Sequence, residues 1–193
     1  MQKKKIFILL GHPDEDSFNG TLAMEYEKGA LEAGHEIRRQ NVGEMVFDPI
    51  LHHAYKTIQE LEPDLKAFQE NVKWCDHFVI VYPIWFSTMP AVMKGLFDRA
   101  WLPGFAFKFH KSGLIWSKLL RGRSASMIVT SDNIPIVLRL VFGDSTNEVR
   151  RGLLWFTGFS PIHVHSIGFL KFASMARHER TKRKIYILGM KAK

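Results

Sequence analysis

Cysteine is nearly absent from this 193-residue chain: Cys75 stands alone, so no intrachain disulfide can form and nothing calls for an oxidising compartment. Long apolar runs are missing too. The N-terminal candidate, residues 6–10 behind Lys3, Lys4 and Lys5, falls short of the roughly 7–15 apolar residues of a secretory signal, and Asp14, Glu15 and Asp16 follow at once. Nothing approaches the roughly 18 apolar residues of a membrane span, so a cytoplasmic protein with no membrane partner is expected. No repeat, low-complexity tract or linker divides the sequence, and residues 1–193 are read as one domain.

Acidic residues are scarce in one half only. Residues 1–100 carry 11 basic and 15 acidic side chains, a balance of −4; taken from the totals of 27 and 19, that leaves 16 basic and 4 acidic in residues 101–193, a balance of +12. The net charge of +8 invites a comparison with nucleic-acid binders, and it resides entirely in the second half. With 46% apolar and 12% aromatic residues, the composition excludes a disordered, collagenous or disulfide-framed chain.

Hydrophobic periodicity gives strands and helices in alternation. Residues 5–10 hold the continuous apolar run IFILL, closed by Gly11 and Pro13, as in a strand covered on both faces. A helix follows from Ser17, with Phe18, Leu22, Ala30 and Leu31 set against Glu25, Glu27 and Lys28, and Gly34 closes it. Residues 35–42 read as a polar strand near a sheet edge, 64–75 as a helix and 76–82 (DHFVIVY) as a second buried strand. Pro90 suits the first position of a helix capped by Ser87 or Thr88 and ending at Pro103. Residues 124–130 (SASMIVT) are a third core strand, 147–157 a helix, 161–167 an alternating strand and 174–189 a basic terminal helix. The alternation predicts an α/β fold with a parallel sheet.

Ligands of such sheets bind beyond the carboxyl ends of the strands, where the strand order reverses. Residues 11–19, 83–89 and 131–145 leave those ends. The first loop, GHPDEDSFN, runs into a helix whose free N–H groups and dipole favour an anion, with His12, Ser17 and Asn19 as added donors; equally, Ser17 is an N-cap and His12 a loop residue. Neither GxGxxG nor the GxxxxGK sequence of a P-loop is present, so an ordinary dinucleotide or P-loop site is not expected. The second loop, PIWFSTMP, sets Trp85 and Phe86 between two prolines, either as a wall for a flat ring or packed on the next helix. The third begins TSDNIP, whose hydroxyls and amide suit a heterocycle or a turn.

Taken together, GHPDEDSFNGTLA, YPIWFSTMPAVMKGLFDRAW, GFAF and a strand ending in VTS resemble the NAD(P)H dehydrogenase (quinone) family of flavodoxin-like flavoproteins, which includes the modulator-of-drug-activity reductases. The resemblance covers most of residues 4–170. It implies a flavodoxin-like three-layer sandwich with a five-stranded parallel sheet, and a homodimer that passes a hydride from NAD(P)H through a flavin to a quinone or similar acceptor. His12, Ser17, Phe18 and Asn19 would then hold the flavin phosphates, Pro83, Ile84, Trp85 and Phe86 would line the isoalloxazine edge, and Thr130, Ser131, Asp132 and Asn133 would approach its pyrimidine side. The His-x(4)-Ser-Phe-Asn spacing resembles that of the FAD-binding members, with FMN as the alternative. The family's Thr-Thr-Gly-Gly turn followed by a Tyr and a His is replaced by Thr130-Ser131-Asp132-Asn133, and no Tyr or His occurs in residues 134–160. The flavin would therefore carry the redox step without that pair.

Two other readings stand beside it. The string His12-Pro13-Asp14-Glu15-Asp16 resembles the opening of zinc-dependent sugar deacetylases, but zinc catalysis needs about three protein ligands, and only His163 and His165 offer a further pair. The basic terminal residues, among them Lys171, Arg177, Arg180 and Lys184, suggest a nucleic-acid module or, more simply, a solvated helix face.

Overall fold

The computed structural model describes residues 2–54, 56–110 and 115–193. Its elements are β1 (Lys5–Leu10), α1 (Phe18–Glu32), β2 (Glu36–Asn41), α2 (Pro63–Trp74), β3 (His77–Pro83), α3 (Ala91–Ala100), β4 (Phe107–Phe109), β5 (Trp116–Lys118), β6 (Ser124–Thr130), α4 (Pro135–Phe142), a π-helix (Glu148–Trp155), β7 (Ile162–Ile167) and α5 (Met175–Lys191). Five strands form one parallel sheet in the order β2-β1-β3-β6-β7, and β4 and β5 pair as a separate antiparallel hairpin. The expected five-stranded parallel sheet is therefore present.

Burial follows from the apolar runs. Phe7, Leu9, Phe78, Ile80 and Tyr82 point into the core beneath α2 and α3, while Ile6, Ile8, Leu10, Val79 and Val81 point into the core beneath α1 and α5. An unbroken run of this kind serves two cores at once because alternate side chains leave opposite faces. Each fully buried large side chain contributes about 1.5–3 kcal/mol. β2 lies at an edge as expected, with the Arg38 guanidinium 4.3 Å from the Trp74 ring centroid.

On the α1/α5 side the helices touch backbone to backbone. A Cβ on Gly29 would lie 2.1 Å from the Tyr186 carbonyl oxygen, and one on Gly189 would lie 2.1 Å from that of Tyr26. Ile185 and Gly189 turn inward, leaving Arg180, Arg183 and Lys184 in solvent. The same side of the sheet buries His77, which bonds Ser124 Oγ at 2.7 Å. Desolvation, with Lys4 and three further histidines nearby and no acid among the groups that perturb it, holds its imidazole down to about 3. Cys75 is buried, and desolvation pushes its thiol up to about 12, so it is inert as a nucleophile at neutral pH.

The region around residues 47–51, which shows no clear period, is fixed from outside. The buried Arg99 guanidinium donates to the carbonyls of Asp48 and Glu60 and pairs with Glu62 at 2.9 Å, clamping this segment to α3. Three local expectations change. Pro90 is the N-cap residue of α3 instead of its first turn, and Thr88 donates to the Glu148 carboxylate instead of capping that helix. Residues 131–145, read as a loop, contain α4, and the helix expected over 147–157 is wound for eight residues as a π-helix.

Candidate functional site

The sheet reverses direction at β1: the chain steps outward to β2 and then returns to the other side of β1 as β3. Loops leaving the carboxyl ends of β1, β3 and β6 meet there. In the first loop, the Asp14 N–H donates to His12 Nδ1 at 3.0 Å, and the His12 ring stands edge-on to Trp85 at 5.4 Å. Ser17 caps α1, its Oγ accepting from the Gly20 N–H at 3.2 Å. Phe18 and Asn19, as the first two helical residues, have N–H groups without an intrahelical acceptor. The Asn19 side chain is buried, and its Oδ1 accepts from Thr130 Oγ1 at 3.1 Å, tying this loop to the end of β6.

The second loop is held by the Ile84 N–H, which donates to the Thr130 carbonyl at 2.8 Å. Trp85 and Thr88 exchange backbone hydrogen bonds at 2.9 and 3.0 Å, closing a two-residue turn in which Phe86 and Ser87 have φ of 47° and 64°. This left-handed pair costs on the order of 1–2 kcal/mol per residue and throws the Phe86 ring fully into solvent. The Glu148 carboxylate receives both the Thr88 hydroxyl and the Met89 N–H, joining the π-helix to the loop.

In the third loop, Ser131 Oγ donates to the Asn133 carbonyl at 3.0 Å, and the Phe169 N–H donates to the same oxygen at 3.1 Å. A fourth loop, after β7, is thereby stapled to the third. Sequence reading passed over it, although the end of a fifth parallel strand was the signal that could have found it.

These loops enclose a cleft of about 390 Å³. His12, Ser17, Phe18, Asn19, Pro83, Ile84, Trp85, Thr130, Ser131 and Asp132 line it, joined by Leu170, Lys171 and His178 from the fourth loop and α5. Phe86 and Asn133 lie instead on an adjoining opening of about 650 Å³, with Phe142 of α4. His178 packs on Phe18 at 4.8 Å between ring centroids, and its Nε2 is buried without a hydrogen-bond partner. One wall is thus cationic and donor-rich, and the other is an indole.

Residues 4–185 match the profile of a family described by its flavodoxin-like fold. The chain belongs to that family. The human ribosyldihydronicotinamide dehydrogenase (quinone) is 28% identical over 185 residues, covering 82% of this chain and 79% of the relative. Among solved structures, the NAD(P)H:quinone oxidoreductase of Methanothermobacter marburgensis superposes with a TM-score of 0.83 at 21% identity, covering 100% of both chains. An FMN-dependent NADH-azoreductase from Bacillus anthracis, in complex with FMN, gives 0.79 at 17% identity over 97% of this chain and 98% of its own. The resemblance carried by the loop motifs is borne out by this match and these relatives.

The deacetylase reading finds no support in this flavodoxin-like chain. His12 follows the carboxyl end of β1, whereas His163 sits near the start of β7, opposite Ser126. Among the described residues no group of three or more His, Cys, Asp or Glu is placed to hold a metal ion. No helix among them is long and apolar enough to cross a membrane.

Proposed function

We propose that this chain is a flavin-dependent NAD(P)H oxidoreductase that passes a hydride from NAD(P)H, by way of its flavin, to a quinone or a similar small acceptor. The observation that carries this reading is the composition of the cleft at the β1/β3 reversal: a helix N-terminus, an unpartnered imidazole nitrogen and a lysine on one side, an indole on the other. Phosphate oxygens suit the N–H groups of Phe18 and Asn19, with His12, Lys171 and His178 beside them. A flat heterocycle suits Trp85 and the Pro83–Ile84 backbone, with Thr130 to Asp132 along its edge. Ser17 acts through the helix it caps, and Asn19 through the Thr130 hydroxyl it holds.

The flavin supplies hydride acceptance and donation. The chain binds it, orients it and keeps its phosphate end in a field of positive sign. FAD is the proposed flavin because Leu170, Lys171 and His178 extend the cleft beyond the α1 terminus, where a single phosphate would already be satisfied. FMN is the second reading, favoured by the azoreductase neighbour that binds it.

We further read residues 1–193 as one domain acting as a homodimer in the cytoplasm. The exposed apolar side chains of Ile136, Leu140, Val141 and Phe142 on α4, beside the exposed Phe86, form the face a second copy would cover. Neither a nucleic acid nor a membrane is part of this reading.

The absorption spectrum of purified protein, as isolated and after incubation with FAD or FMN, tests the proposal. Bands near about 375 and 450 nm are expected of a bound oxidised flavin, and chromatography of the released cofactor separates FAD from FMN. Protein that is colourless and takes up neither flavin overturns the reading.

A further inference from the structure

β7 forms the far edge of the sheet, and its face toward the π-helix is incompletely covered, with Ile162, Val164 and Ser166 not fully buried. Two clefts run along it. The nearer, about 400 Å³, shares Ile84 and Ser131 with the flavin-side clefts and carries Arg139 and Arg150. The farther, about 710 Å³, begins at the same Arg150 and continues past Arg151 and Trp155 to Ile162 at the amino end of the strand. At about 3.3 Å per residue, the stretch of β7 from Ser166 to Ile162 adds roughly 13 Å to the reach of the flavin cleft.

The lining has a specific chemistry. Arg139, Arg150 and Arg151 line the two clefts against a single carboxylate, Asp144, which meets Arg150 only at 3.8 Å. The Arg151 guanidinium lines the farther cleft and has no hydrogen-bond or ion-pair partner among the described residues. Trp155 is 52% exposed although the Lys118 ammonium already lies 3.7 Å from its ring centroid. A Cβ at Gly152 would meet nothing within 4 Å, so the wall opens there. A planar cation fork beside a half-exposed indole recognises a phosphate attached to a flat base.

We propose that this groove receives the ADP-ribose half of the hydride donor, with Arg139 at its pyrophosphate, Trp155 against its adenine, and Arg150 and Arg151 at a 2′-phosphate. The chain therefore prefers NADPH to NADH. This rests on the reading that the adjoining cleft holds the flavin, since that cleft fixes where the nicotinamide lies.

Binding of 2′,5′-ADP, followed by calorimetry and by tryptophan fluorescence on protein with and without flavin, tests the groove directly. Saturable binding is expected, with the fluorescence change lost in Trp155→Phe. Arg151→Ala should weaken 2′,5′-ADP by about tenfold or more, the effect of removing a charge-assisted bond, with Arg151→Lys recovering part of it and 5′-AMP affected far less. In steady-state assays the ratio of kcat/KM for NADPH to that for NADH should fall about tenfold in Arg151→Ala, through KM. Wild-type protein that does not bind 2′,5′-ADP, or an Arg151→Ala ratio equal to that of the wild type, overturns the proposal. Protein that takes up no flavin defeats the reductase reading instead, and the 2′,5′-ADP titration still decides the groove.

Discussion

On one face of the sheet α1 and α5 press together until Gly29 and Gly189 set backbone against backbone; on the other, the π-helix stands off β7 and Gly152 looks into open space. The closed side buries His77 and admits a ligand only at the loop end of its helices, where Phe18 and His178 line the cleft, whereas the open face holds arginines, a half-exposed indole and two grooves along its strand. Close packing leaves no atoms free for a ligand, so on the closed side binding is confined to the loop end of the two helices, while the open side offers grooves along the length of β7.

The comparison breaks most readily at the helix crossing. Gly189→Val places a side chain where its Cβ already meets the Tyr26 carbonyl at 2.1 Å, so the helices must separate. A loss of about 3 kcal/mol or more is expected in urea denaturation, and an unchanged midpoint would show that the closed face is not closed. Acid attacks the same face next. His77 is neutral in the folded state down to about 3 against 6.5 when unfolded, so below pH 6.5 the unfolded chain binds the extra proton and stability falls with pH. One such group accounts for a loss of about 1.6 kcal/mol between pH 6.5 and 5, the slope rising toward about 1.4 kcal/mol per pH unit as the unfolded imidazole fills. Denaturation midpoints at the two pH values measure it, and a His77→Leu chain with an equally steep dependence would assign the loss elsewhere.

At the loop end and across the sheet the expected effects are on binding. Trp85→Ala should weaken flavin retention by about tenfold while changing stability by less than about 0.5 kcal/mol, because the side chain is partly exposed; unchanged flavin occupancy would remove Trp85 from the ring wall. The smallest effect belongs to Gly152→Ala, expected to be neutral or up to about 1 kcal/mol stabilising, since helical alanine replaces glycine with nothing to strike. A clear loss of stability there would mean that the groove is narrower than drawn.

What the sequence revealed divides along similar lines. β1, β3 and β6 were legible because strands buried on both faces need unbroken apolar runs, and Ser17 as a cap because its hydroxyl needs only a neighbour three residues on. α4 was not legible: IPIVLRLVF has no polar face to set a helical period, and Ile136, Val137, Leu140, Val141 and Phe142 stay exposed. The Thr88–Glu148 bond joins groups sixty residues apart, which no local pattern encodes. Three of the four loops at the cleft were found from the ends of apolar strands. The fourth follows β7, whose alternating and partly exposed residues drew attention to the strand and away from its carboxyl end.

The cleft takes its first wall from His12 and its last from His178, and α5 docks onto α1 through Gly189, near the end of the chain. During synthesis, therefore, a product that stops short of α5 cannot present a finished site: the early loops wait, open to water, until α5 has left the ribosome and locked onto α1. A ligand gripped from all four loops marks a chain in which α5 has been made and has closed onto α1.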